Sequence, residues 1–116
     1  LRLVLEIGVH HIDGYVDAYY GPESLKAEVE ATPPQTPEAL LAVVADLQTR
    51  VPDADPAREQ YLRAELRGIE CTVRMLNGET FDYLDEIYNL YDVRPSLVEE
   101  SRFEAAHQEF DRILQL

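Results

Sequence analysis

The chain has 116 residues, 46% of them hydrophobic, and carries 23 acidic against 10 basic side chains for a formal charge of −13. That length makes one domain with enough apolar content for a core. The acidic excess disfavours nucleic acid and anionic membranes as partners, because both are bound through Lys and Arg.

The longest apolar run, Ala39 to Ala45, is far below the ~20 residues that a bilayer span needs. No secretory leader pattern is visible. Cys71 is the single cysteine, so no internal disulfide can form. This usage fits a reducing compartment, and the expected localisation is cytoplasmic. The chain begins at Leu1 and ends at Leu116 within an amphipathic pattern. We therefore expect residues 1–116 to be one helical domain, the N-terminal part of a longer polypeptide.

No window alternates as a half-buried strand does; helical spacing recurs instead. Leu1, Leu5, Val9 and Ile12 predict one face of a first helix, interrupted at Asp13-Gly14. Val16, Tyr19 and Tyr20 predict a short helical turn ending at Gly21. Pro22 opens a short helix to about Glu30. Ala31 to Gln35, with Pro33-Pro34, reads as an extended linker.

Thr36-Pro37-Glu38 is a helix start, and Leu40, Val44, Leu47 and Val51 continue one stripe. Pro52 to Asp55 reads as a turn. Asp55-Pro56 begins the longest helix, with Leu62, Leu66, Ile69, Val73 and Leu76 as its seam and Asn77-Gly78 as its stop. Thr80 is the expected cap of the next helix, where Phe81, Leu84, Tyr88 and Tyr91 share a face, and Val93-Arg94-Pro95 ends it. Ser101-Arg-Phe-Glu104 has the pattern of a capping box, and Phe103, Ala106, Phe110 and Ile113 are the expected buried side of the last helix. The fold class read from this is all-α, an antiparallel bundle of five to six helices with short connections.

Few residues carry a chemical signal. The three histidines are His10, His11 and His107. Glu104 and His107 have the i, i+3 spacing of carboxylate-bridged metal bundles, but that architecture needs two such motifs and more inward Glu. His10 and His11 are adjacent and point ~100° apart on a helix, the wrong spacing for two ligands of one ion. These four are weak metal candidates, and the expectation is that no metal is bound here. Cys71 reads as a small buried hydrophobe. No nucleophile elbow or Gly-rich phosphate loop is present, and no catalytic residue or cofactor site is expected.

The tyrosines form two clusters, Tyr15, Tyr19, Tyr20 and Tyr83, Tyr88, Tyr91. They either line a groove or bury their rings with bonded hydroxyls, and packing is the favoured reading. Asp17, between aromatic neighbours, is expected to accept from a Tyr hydroxyl or an Arg. Tyr15, Asp17, Tyr19 and Tyr20 are the candidates for a groove or an interdomain contact.

The stretch His11-Ile-Asp-Gly-Tyr-Val-Asp-Ala-Tyr-Tyr-Gly-Pro22, then Leu25-Lys26, resembles the start of a bacterial family of helical proteins of uncharacterised function. Tyr61-Leu-Arg-Ala64, Leu76-Asn-Gly-Glu79, Tyr91-Asp-Val-Arg-Pro95 and Phe103-Glu-Ala-Ala-His107 extend the resemblance in order. Longer members look like zinc-dependent peptidases or hydrolases with a downstream His-Glu-x-x-Pro-Gly-His motif. There the histidines would hold the metal and the Glu would act as general base. This chain contains no His-Glu pair, so no ligand or catalytic residue carries over. Asp13 stands where many relatives have Pro.

The resemblance implies a non-catalytic helical domain that shapes or covers the cleft of a zinc-bearing half outside this chain. Its partner would be that half or a second copy. Two alternatives remain: a free-standing acidic interaction or dimerisation module, and a small His/carboxylate metal-binding bundle.

Overall fold

The computed structural model describes residues 1–52 and 55–115. Asp53 and Ala54, within the expected turn after Pro52, lie outside the described residues.

The described residues form six helices and no strand: α1 (Arg2–His10), α2 (Glu23–Ala31), α3 (Pro37–Thr49), α4 (Pro56–Leu76), α5 (Tyr83–Tyr91) and α6 (Glu100–Leu114). No helix among them is long and apolar enough to cross a membrane.

Local chemistry sets the best-defined boundaries. Thr36 caps α3, its hydroxyl oxygen accepting from the Ala39 amide at 3.2 Å, with Pro37 in the first turn. Asp55 does the same for α4 through the Ala57 amide at 3.1 Å. Asn77 closes α4, and Gly78 follows at φ +90°. Carboxylates four residues ahead of arginines support the exposed faces: Asp46 with Arg50, Glu59 with Arg63, Glu70 with Arg74.

Three helices supply the core. Leu3 and Ile7 of α1 meet Leu40 and Val44 of α3 and Val73 of α4, with Ile12, Tyr15, Leu41, Leu47 and Ile69 packed around them. Each fully buried aliphatic side chain contributes about 1.5–3 kcal/mol relative to exposure. Helix α3 packs on α4, α4 on α5, and α1 on α2. Gly68 faces α5 at this contact: a Cβ there would lie 3.4 Å from the Asn89 carbonyl oxygen and 3.5 Å from that of Leu90, ordinary van der Waals distances.

Several expectations are corrected. Of the expected α1 face, Leu5 is buried and Ile12 packs against the core, but Leu1 and Val9 are exposed, and it is Leu3 and Ile7 that enter the central cluster. Nearly every residue from Leu1 to Val9 is apolar, so periodicity there cannot select a face. No helical turn forms at Val16–Tyr20; residues 11–22 are irregular throughout. Asp82, not Thr80, occupies the N-cap of α5. Helix α5 ends at Asp92, in the left-handed region at φ 56°, ahead of Val93-Arg94-Pro95. Helix α6 starts at Glu100, which puts Ser101 inside the first turn, and no side chain caps it. A capping box requires the Ser to stand at the N-cap with extended backbone.

The largest correction concerns α6. Phe103, Ala106, Phe110 and Ile113 are exposed, and so is every described residue from Tyr91 to Gln115. The radius of gyration is 19.7 Å and the long axis 61 Å, against about 13 Å of radius for a compact domain of this size. The helical body is therefore α1–α5, and α6 stands off it. Its stripe is amphipathic as read, but no other element among the described residues covers it.

Ile7→Ala should lower the unfolding free energy by about 2–4 kcal/mol in urea denaturation, because it opens a void at the centre of the core. Leu97→Ala, in the exposed segment before α6, should stay within about 0.5 kcal/mol of the parent chain.

Candidate functional site

Two features of the body have chemical character: a buried polar knot at α1 and an open apolar cleft beside α4. Glu6 is 3% exposed, between core residues of its helix. Its Oε1 accepts the Gln35 backbone amide at 2.9 Å, which ties α1 to the linker before α3. Its Oε2 lies 3.9 Å from His10 Nε2, one turn on. That Nε2 sits 2.9 Å from the Val29 carbonyl oxygen, at the end of α2. A carbonyl only accepts, so Nε2 carries the proton and donates. The Glu6 carboxyl is thus held by one donor, the Gln35 amide, while the His10 N–H is engaged by the Val29 carbonyl.

This placement defines what the histidines do. His10 is a structural donor joining α1 to α2. His11 is partly buried, with its Nε2 shielded and without a partner. Glu104 and His107 lie on exposed α6, where they share a shallow surface concavity with Phe103. Among the described residues no group of three or more His, Cys, Asp or Glu is placed to hold a metal ion. The side chains here do not fit a zinc site, and no step through zinc is derived for them. Cys71 is 2% exposed. Burial first, and the nearby Glu86 carboxylate second, push its thiol above the ordinary range, so the neutral form dominates. On α6 the Arg112 guanidinium bonds the Glu109 carboxylate and lowers its pKa, a surface pairing of little energetic weight.

The Tyr-rich segment is only partly packed. Tyr19 curls back so that its hydroxyl donates to the Pro22 carbonyl at 2.7 Å. Its ring lies close over Gly21: a Cβ there would sit 2.6 Å from the hydroxyl oxygen, so a larger residue would require the Tyr19 ring to swing away. Tyr20 is 96% exposed, contrary to the expectation of packing. Asp17 is exposed and, among the described residues, makes no side-chain hydrogen bond. The expected bond from a Tyr hydroxyl or an Arg is not formed among the described residues, and the nearby Tyr19 hydroxyl uses the Pro22 carbonyl.

Tyr15 alone of this cluster reaches the interior. It packs against the core and lines a cleft of about 380 Å³ together with Ile12, Gly68, Thr72, Leu90 and Tyr91. The two tyrosine clusters therefore meet across one surface, Tyr15 from the irregular segment and Tyr91 from the end of α5. Glu65 stands at the same cleft. The lining is mainly apolar with a few hydroxyls and one carboxylate, the composition of a recognition surface. Beside it, Tyr88 lies between two guanidinium groups, Arg67 at 4.2 Å and Arg94 at 3.8 Å from the ring centre. Arg67 also pairs with Asp92, holding the left-handed end of α5.

Sequence reasoning did not find Gly68, Thr72 and Leu90 as cleft residues. The available signal was the small-residue spacing of Gly68 and Thr72, one turn apart on α4. Comparison with family models, curated proteins and solved structures finds no match.

Replacing Glu6 with Ala should cost about 1–3 kcal/mol, because the Gln35 amide loses its acceptor inside the fold. Glu6→Gln keeps an acceptor oxygen and should cost less; urea denaturation of both variants measures the difference. Cys71 should react with a thiol reagent at pH 8 at least ~10-fold more slowly in the native chain than in denaturant, since exposure requires opening of the fold. Its raised pKa stabilises the fold below the ordinary thiol pKa, and that contribution is lost as pH rises through the folded value.

Proposed function

We propose that this chain is a non-catalytic helical domain that shapes or covers the substrate cleft of a metal-dependent peptidase or hydrolase. The observation that carries this reading is the open cleft where Tyr15 and Tyr91 meet. An apolar wall with a few hydroxyls suits contact with peptide backbone and side chains, the polar groups fixing orientation and the apolar surface supplying affinity. The side chains that line it include no metal-ligating pair and no nucleophile, so the chemistry belongs to another part of the assembly. The ordered resemblance from His11 to His107 supplies the reaction class, with zinc and its ligands in that other part. Cytoplasmic residence belongs to the same proposal.

The parent reading frame tests it directly. A His-Glu-x-x-Pro-Gly-His motif downstream of this region is the expected result. Residues 1–116 with added zinc should turn over no peptide substrate. The full protein should show a raised KM with little change in kcat when Tyr15 or Tyr91 is replaced by Ala. Peptide turnover by residues 1–116 alone, or a reading frame without the motif, overturns the proposal.

A further inference from the structure

A second groove lies on the other side of α4, between the ends of α1 and α3. It has a volume of about 630 Å³, and Leu47, Val51, Leu62 and Leu66 make its apolar floor. Arg50 and Arg58 stand on its rim. Arg50 is held by Asp46 of its own helix, while Arg58 lies 5.4 Å from the Tyr61 ring centre and has no carboxylate partner among the described residues.

Helix α6 is the complement of this groove. Phe103, Phe110, Ile113 and Leu114 are all at least half exposed and, at 100° per residue, fall on one face with Ala106. Glu100, Glu104 and Asp111 run along one edge of that face. The stripe from Phe103 to Leu114 spans about 17 Å, and so does α4 from Arg58 to Ile69, at 1.5 Å per residue. An acidic-edged apolar helix thus matches in length and polarity an apolar groove that carries Arg50, Arg58 and one carboxylate, Glu65, and Arg58 is the cation of this rim that the acidic edge would meet.

The segment from Asp92 to Glu99 carries α6 away from the body. Every residue of it is exposed, and Asp92 is pinned to Arg67 in a left-handed turn. We infer that the groove takes α6 of a second copy of this chain, and that two copies exchange these helices about a twofold axis. Such reciprocal exchange closes the assembly and leaves neither stripe exposed. The groove shares Glu65 and Ile69 with the Tyr15–Tyr91 cleft but neither tyrosine, so the two proposals are tested by different substitutions.

Light scattering after size exclusion should give twice the 13.3 kDa chain mass. Phe110→Asp should abolish the dimer and leave α6 amides exchanging freely. Arg58→Glu, on the exposed rim and harmless to folding, should weaken the dimer at least ~10-fold. Adding Glu104→Arg to it should restore much of the affinity. Mixing Phe110→Asp with Leu66→Asp should give a heterodimer held by one intact helix–groove pair. A monomer at ~100 µM, well above the dissociation constants of stable interfaces, overturns the inference. So does a monomer whose α6 is protected from exchange, which would mean capture within one chain. A dimer indifferent to both Phe110→Asp and Arg58→Glu overturns it as well.

Discussion

A buried carboxylate governs how this fold is put together. Glu6 sits on the helix that fills the core, and its charge is tolerable only while it faces a donor. The Gln35 amide is that donor, and the imidazole of His10 stands 3.9 Å away, one turn on. His10 in turn donates to the end of α2. Two side chains one turn apart thereby fix α1, His10 against α2 and Glu6 against the proline linker that delivers α3. The apolar contacts are not directional; this knot is. It sets which side of α1 turns toward Leu40, Val44 and Val73, and so which side of the molecule is left open.

The core that results is thin. Buried aliphatic side chains come mainly from α1, α3 and α4, with Val29 of α2 beside them. Helix α5 contributes no fully buried residue and lies on α4 beside Gly68. A thin core leaves both flanks of α4 unfilled: the Tyr15–Tyr91 cleft on one, the Arg-rimmed groove on the other. Glu65 and Ile69 border both. Both recognition surfaces thus follow from one structural fact, a 21-residue helix covered by shorter neighbours.

Legibility in the sequence varied with how local the signal was. Thr36-Pro37 and Asp55-Pro56 announced two helix starts because the cap, the proline and the first turn are neighbours in the chain. The α4 seam was readable because 21 residues give periodicity room to show. The α1 face was not, since Leu1 to Val9 is apolar nearly all round. Tyr19 and Tyr20 looked alike in sequence, yet one folds onto Gly21 and the other stands in solvent. Of the cleft, Tyr15 was foreseen as a candidate. Its meeting with Tyr91, 76 residues away in the chain, was not.

The sequence alone determined the all-helical class, the position of most helix ends, the burial of Cys71 and the amphipathic stripe of α6. Each rests on interactions within a few residues: caps, proline geometry and the 3.6-residue period. Tertiary structure decided which face of α1 is inside, that Glu6 and His10 form a structural knot, and that α6 has no partner among the described residues. Those outcomes depend on which surfaces remain after the helices pack. An amphipathic stripe specifies that a face seeks cover; only the arrangement of the other helices determines whether the cover lies in the same chain.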